Sequence, residues 1–413
     1  MTPTFSVVVP AYNAGRTIRR ALQSVFEQSR QDFEIVVCDD GSTDTTAALL
    51  EDIRDTRLHV VRQPNSGRGA ARNRALERAT GRYVALLDAD DWWDQGKLAG
   101  DLAVLEGLAE PALVYSNLHV VNAAGHIFRL MNGKTAVAHS GRVFPLLLQS
   151  NFVPTSTICV PRQIALAVGP FDTSIVRGQD WEWLLRAAAI VPFRYRNQPV
   201  GYYDAHSWGS DEKTVATWEG VIQLLDKVRV SLADLVAQYP DALARSYASA
   251  YVSLARYREG NGDHDAAAQL YACALEHTPQ DERVAWSRIM ALYACGDWAH
   301  ARALLVEQVA RAPWSALPRF YLGNVALALD QPDQALEQFE RATYVGPRDQ
   351  QFPECVNNLG VACWRIGDLV RARELFEQAL QQREFYSDAL WNLAQLSRPG
   401  AADVPRWTRR KAA

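Results

Sequence analysis

The stretch L-L-D-A-D-D-W-W, Leu86 to Trp93, sets three carboxylates directly behind an apolar run. The residues leading into it, Tyr83-Val-Ala-Leu-Leu, form a short, continuous apolar run, the pattern of a strand buried on both faces. Asp88, Asp90 and Asp91 therefore stand at a strand's carboxyl end, where two of them must repel each other. Two readings compete. Asp88 and Asp90 alternate along an extended segment and so point toward one edge, with Asp91 turned away, which suits a divalent cation that wants hard oxygen ligands. Otherwise the aspartates merely cap the helix that follows. A lone D-x-D does not choose between them.

The preceding sequence gives the strand its setting. Apolar runs at residues 5–12 (FSVVVPAY), 33–42 (FEIVVCDDGS) and 57–63 (RLHVVRQ) alternate with helical patterns at 17–29 (TIRRALQSVFEQS), 45–54 (TTAALLEDIR) and 69–79 (GAARNRALERA). Such alternation predicts an α/β domain, a mostly parallel sheet with helices on both faces. Ligands bind such sheets outside the carboxyl ends of the strands. Polar and glycine-bearing segments gather at those ends: Pro10-Ala11-Tyr12-Asn13, Asp39-Asp40-Gly41-Ser42, Asn65-Ser66-Gly67 and Asp88-Ala89-Asp90-Asp91. From about 110 to 215 the pattern is less regular. It includes 178–189 (GQDWEWLLRAAA), a helix with an acidic first turn, and a strand-like piece at 200–210 (VGYYDAHSWGS).

With 413 residues the chain is too long for one ordinary core, and its 48% hydrophobic content allows two. A formal net charge of −4 gives no electrostatic reason to expect nucleic acid as a partner, so any anionic ligand needs a local site. The N-terminus lacks a basic leader region, and no apolar run approaches the roughly 18 residues of a membrane span. Six cysteines without a C-x-x-C pair suit free buried thiols and a cytoplasmic location rather than a disulfide framework.

After Thr214 the chain becomes helical, and then periodic. Pro279, Pro313 and Pro347 recur every 34 residues; small residues (Ala267, Ala301, Ala335) and large ones (Tyr271, Leu305, Phe339) keep the same register. A fourth unit, displaced by three residues, supplies Gly360, Ala372, Phe376 and Ala379. This resembles the tetratricopeptide repeat, whose helix hairpins need small residues where they touch. The expected organisation is 1–215 α/β domain, 216–245 helical linker, and 246–397 an all-α repeat solenoid of about four units with residues 387–396 (SDALWNLAQL) as capping helix. A basic tail without order should follow over 398–413.

Residues 7–13 (VVVPAYN), 39–44 (DDGSTD), 65–76 (NSGRGAARNRAL) and 86–91 (LLDADD), followed by 168–172 (VGPFD) and 178–186 (GQDWEWLLR), stand in an order and at spacings that resemble the family 2 glycosyltransferases of the Rossmann-like GT-A fold. The resemblance covers roughly residues 5–210. It implies a nucleotide diphosphate sugar, UDP-linked, as donor and Mn²⁺ or Mg²⁺ as cofactor. Asp88 would then contact the ribose, Ala89 would lie with it along the donor, and Asp90 would hold the metal. Pro10, Ala11 and Tyr12 shape the first strand end, where an aromatic ring can lie against a base. Asp39 can accept from a base N–H, as uracil requires, and the resemblance puts it in that role. Asn65 and Arg72 match the positions that frame base and phosphates, and Gly67 and Gly69 permit close backbone approach. Asp44 reads as a helix cap.

Transfer requires an acceptor hydroxyl to lose its proton as it attacks the anomeric carbon, and one carboxylate opposite the leaving group suffices for inversion. Asp180 is the expected base. The family pattern has Glu-Asp here, where this chain has Gln179-Asp180. Glu182 is its rival, although a place inside the helix suits a salt bridge. His206 offers an imidazole that could complete a manganese site. Trp181, Trp183 and Trp208 could stack on a sugar face, with aromatic core as the plainer alternative.

Three function classes are then in play. An active transferase uses Asp88, Asp90 and Asp180; a binding scaffold with a silent transferase-like domain does not; a nucleotidyltransferase would want a glycine-rich basic loop after the first strand, which P-A-Y-N-A-G-R-T serves poorly. The repeats should bind a peptide or protein, as a docking site for a protein acceptor. The other acceptor is a lipid-linked glycan.

Overall fold

The computed structural model describes residues 2–122, 125–132, 139–205, 211–345, 353–397 and 405–409. The chain divides into two compact units, residues 1–253 and 254–413.

The first unit runs β1 (Phe5–Ala11), α1 (Ile18–Phe26), β2 (Phe33–Asp39), α2 (Thr46–Asp52), β3 (Leu58–Arg62), α3 (Arg68–Leu76) and β4 (Tyr83–Leu86). Next come β5 (Trp92–Trp93), α4 (Lys97–Glu106), β6 (Leu113–Val121), β7 (Ile127–Leu130), α5 (Phe144–Gln149), β8 (Cys159–Pro161), α6 (Arg162–Val168), α7 (Gln179–Ile190) and β9 (Phe193–Asp204). Helices α8 (Asp211–Ser231), α9 (Ala233–Val236) and α10 (Pro240–Gly260) follow. The strands form one sheet in the order β3-β2-β1-β4-β8-β6-β9-β5, with β7 on β6.

Strand periodicity explains the two covering layers. Val7 and Val9 of β1 face a core with Ile18, Leu22 and Val25 of α1 and Leu98 of α4. Val8 faces the opposite core, built with Ala71 and Ala75 of α3 and Leu184 and Leu185 of α7. Helices thus cover both faces, as the alternation predicts. Strands β3, β2, β1 and β4 pair in parallel. In the rest of the sheet β6 and β9 still pair in parallel, but β8 runs antiparallel to both β4 and β6, β7 to β6 and β5 to β9. The sheet as a whole is mixed rather than mostly parallel, because short strands after residue 90 return against it.

Residues 216–245, expected as a linker, belong to this first core. Leu224, Leu225 and Val228 of α8 and Ala250 of α10 are buried in the same cluster as α7, so the units part inside α10 rather than before it. Four of the six free cysteines are buried; Cys295, contrary to expectation, is exposed. Among the described residues no helix is long and apolar enough to cross a membrane.

The second unit continues with helices α11 (His264–His277), α12 (Glu282–Cys295), α13 (Trp298–Arg311), α14 (Ala316–Ala328), α15 (Pro332–Val345), α16 (Pro353–Arg365), α17 (Leu369–Gln382) and α18 (Ser387–Leu396). Positive-φ residues Gly262, Gly296 and Asp330 break the chain at 34-residue intervals between the helices of a pair, and Gly367 does so after the three-residue displacement. Asp263, Asp297 and Asp368 then cap the second helix of their pairs. Ala267, Ala301, Ala335 and Ala372 are fully buried, as are Leu305, Phe339 and Phe376. A Cβ on Gly360 would lie 2.7 Å from the Phe376 ring, so any larger residue there must push that ring aside.

The tail corrects another expectation. Residues 405–409 are not without order; their backbone is held by a row of buried asparagines on α14, α16 and α18.

Candidate active site

The parallel register sets Ala11, Asp39 and Arg62 side by side at one edge of the sheet. The loops there brace one another. Asn13 Oδ1 accepts from the Thr43 N–H at 2.9 Å, and Ser42 Oγ accepts from the Asn13 N–H at 3.0 Å. Asp44 accepts from the N–H groups of Gly15 and Thr46, a structural role, although the N-cap position of α2 is Thr45 rather than Asp44. Asp40 accepts from the Ser66 and Gly67 N–H groups at 2.9 Å, which fixes the loop that carries Asn65. Asp39 is almost fully buried and meets Arg62 at 3.5 Å, with one oxygen accepting from the Ser42 N–H. A hollow of about 370 Å³ is lined by Asp39, Gly41, Ser42, Ala47, Arg62, Gln63 and Pro64. Pro10 and Ala11 are buried in β1, while Tyr12 is half exposed.

Immediately after β4, one oxygen each from Asp88, Asp90 and Asp91 lies within 4.8 Å of the others. Asp91 therefore stays in the group rather than turning away. Ser156 ties the turn together: its Oγ accepts from the Asp88 N–H at 3.1 Å and donates to Asp91 Oδ2. The other Asp91 oxygen is buried without a hydrogen-bond partner among the described residues. Burial would raise the Asp88 pKa, but Arg72, whose Nη2 is 2.6 Å from Asp88 Oδ1, and Arg68 more than offset this and hold it below the ordinary carboxylate value. Burial and then the Asp88 charge push Asp90 up; burial, Asp90 and Asp88 push Asp91 well up. Three crowded carboxylates, one with an orphaned buried oxygen, fit a hard divalent cation.

Arg20 and Asp204 complete this wall, and neither was singled out in the sequence. Arg20 donates to Asp204 Oδ2 at 2.8 Å and to the Asp90 carbonyl at 3.2 Å, and its guanidinium lies 3.6 Å from the centre of the Trp92 ring, which stacks on Tyr202. In sequence Arg20 looks like a helix-surface residue, and Asp204 stands two residues before the more conspicuous His206. The β5–β9 and β6–β9 pairings bring Asp204 here, and Arg20 reaches it from α1. His206 and Trp208 lie outside the described residues.

Asp180 stands in the first turn of α7, after Gly178, whose left-handed φ of 88° starts the helix. Thr155 Oγ1 donates to Asp180 Oδ2 at 3.0 Å. Asp180 lines a cleft of about 630 Å³ with Arg68, Arg72, Asn151 and Trp218. Arg68 joins the two halves: Asp88 first, then Asp90 and Asp180, raise its pKa, and its Nη1 is 3.9 Å from Asp88 Oδ2. Glu182 is taken by a two-bond pair with Arg186 at 2.7 and 2.8 Å. Trp181 and Trp183 are core: their indole N–H groups donate to the carbonyls of Leu147 and Gly169.

Comparison with known proteins is consistent with this geometry. The family model described as glycosyl transferase family 2 matches residues 6–136. The amylovoran biosynthesis glycosyltransferase AmsB of Erwinia amylovora is 33% identical over 222 residues, covering 51% of this chain and 73% of that protein. The UDP-Glc:alpha-D-GlcNAc-diphosphoundecaprenol beta-1,3-glucosyltransferase WfaP of Escherichia coli is 35% identical over 116 residues, covering 28% of this chain and 46% of that protein. The crystal structure of S. aureus TarS 1-349 shares the fold, with a TM-score of 0.50 at 21% identity over 74% of this chain and 91% of that one.

Proposed function

The chain belongs to glycosyl transferase family 2, and from that premise we propose that it moves a hexose from a UDP-sugar to an acceptor hydroxyl with inversion, assisted by a divalent cation. The observation that carries this is the crowded trio Asp88, Asp90 and Asp91 beside a cleft bearing a second carboxylate, Asp180. Asp90 and Asp91 would hold the cation, and Asp88, kept ionised by Arg72, would face the donor. When bound, Mn²⁺ or Mg²⁺ supplies charge neutralisation for the leaving diphosphate. The hollow beside Asp39 is of a size for a base, with Tyr12 exposed at its strand end. Asp180 takes the proton from the acceptor hydroxyl, and Thr155 fixes the orientation of its carboxylate.

For the acceptor we favour a sugar hydroxyl on a lipid-linked glycan, the class that one relative's name gives for that relative. The helical unit, read as tetratricopeptide repeats, would then recruit a partner on the cytoplasmic side. A protein acceptor docked by those repeats is the second reading; the asparagine row that already grips a peptide backbone favours it.

UDP release from UDP-glucose, UDP-galactose and UDP-N-acetylglucosamine, measured with candidate acceptors, tests the transferase reading. Asp180→Asn should lower transfer at least about 100-fold, the scale of general base catalysis, while UDP binding stays unchanged. Equal transfer by that variant would remove Asp180 from the mechanism.

A further inference from the structure

The second unit carries a row of amides that takes no part in the transfer chemistry itself. Asn324, Asn358 and Asn392 recur at 34-residue spacing on α14, α16 and α18, with Asn357 beside them, and all four side chains are fully buried. They bond one another: Asn358 donates to Asn324 at 2.7 Å, Asn357 to Asn358 and Asn392 to Asn357, each at 3.1 Å. This fixes which way each amide points.

Their remaining hydrogen bonds go to residues 405–409. Asn392 takes both backbone groups of Arg406: its oxygen accepts from the N–H at 2.8 Å and its nitrogen donates to the carbonyl at 2.7 Å. Asn358 does the same for Thr408, at 2.9 and 3.1 Å. Asn357 and Asn324 add donors to the Arg406 and Thr408 carbonyls. Alternate residues are gripped through groups that nearly every amino acid carries, as an edge strand is gripped by its neighbour. Side chains add selectivity. The Arg406 guanidinium lies 4.5 Å from the Trp391 ring centre and that of Arg409 5.6 Å from Trp298, while the Thr408 hydroxyl bonds to Tyr386 and Asp388.

We infer that this row is a binding site for an extended peptide segment of a partner protein, of the pattern Arg-x-Thr-Arg, and that residues 405–409 are a resident competitor which such a segment must displace. Tethering gives the tail an effective concentration on the order of 1 mM; a segment with an intrinsic Kd of ~0.1 mM would then be docked about ten to one. A partner segment binding in trans should meet an affinity about tenfold weaker than the open groove offers. The inference does not depend on the transferase chemistry, because binding is read without turnover.

The test is fluorescence anisotropy with a labelled synthetic peptide V-P-R-W-T-R-R, the sequence of residues 404–410, titrated with the full chain and with its Thr408→Pro variant, which removes an N–H that Asn358 accepts. The variant should bind the peptide about tenfold more tightly than the intact chain. The same peptide N-methylated at the positions of Arg406 and Thr408 should bind neither protein, while one with alanine in place of Trp407 should bind nearly as well as the parent. This probe-side comparison needs no substitution among the buried asparagines. Equal affinities for intact and variant chains, or undiminished binding of the N-methylated peptide, would overturn the inference. So would sedimentation showing a dimer of the intact chain that Thr408→Pro dissociates, since the tail would then serve a second copy.

Discussion

Arg72→Met removes a buried charge from beneath the carboxylate turn while keeping an unbranched side chain of comparable reach. Arg72 is 2% exposed, and its Nη2 sits 2.6 Å from Asp88 Oδ1; the next cation, Arg68, is 3.9 Å from the other oxygen and mostly exposed. Opposite charges with centres about 4 Å apart attract by about 4 kcal/mol at an effective dielectric of ~20. Removing one member of a buried pair costs about 3–5 kcal/mol, because the other charge stays buried without its partner. The expected loss is therefore about 3 kcal/mol, read as a lowered urea midpoint by tryptophan fluorescence. Asp88→Asn neutralises the stranded group, so the Arg72→Met/Asp88→Asn double variant should recover at least about 1 kcal/mol relative to Arg72→Met alone. A single variant that loses under about 1 kcal/mol, or two losses that simply add, would refute the claim that Arg72 exists to keep Asp88 charged.

Two further outcomes test packing and charge elsewhere. Gly360→Ala places a methyl 2.7 Å from the Phe376 ring and should cost about 1–3 kcal/mol, part of which Phe376→Leu restores in the same background; thermal unfolding of both variants decides it. Burial would raise the Asp172 pKa, but hydrogen bonds from Lys227 and Ser174 overcome this and lower it to about 2. With an unfolded value near 3.9, that pair stabilises the fold above about pH 4 and loses its contribution as pH falls toward 2. Lys227→Met should flatten this acid limb in melting temperatures taken from pH 5 to 2, and an unchanged limb would assign it to other carboxylates.

Legibility followed the range of the interactions involved. The alternation of Val7 and Val8 between two faces and the polar ends of β1 to β4 are local patterns, and they brought Asp39, Asp88 and Asp90 into view. The two-residue β5 and three-residue β8 are too short to leave a period, so the mixed half of the sheet was not readable. Arg20 lies 70 residues from Asp90 in the chain and Asp204 farther still, so only the tertiary fold makes them neighbours. Residues 216–245 carry a helical pattern that says nothing of which core they join; the contacts of Leu224 and Val228 with the α7 cluster do. The 34-residue register was plain in the alanines and prolines. The same register holds Asn324, Asn358 and Asn392, and buried amides need hydrogen-bond partners, but the period alone does not say that Arg406 and Thr408 supply them.

The central claim is that the carboxylates of the L-L-D-A-D-D turn hold a cation that binds a nucleotide diphosphate. Calorimetric titration of UDP into the full chain, with and without Mn²⁺ and repeated with Asp90→Ala, measures it most directly. Binding that is strong only with Mn²⁺ and falls at least about tenfold in the variant is the expected result, the loss of one metal-directed interaction being worth 1.4 kcal/mol or more. UDP binding of equal strength in all conditions would contradict it, and would return Asp88, Asp90 and Asp91 to a structural turn.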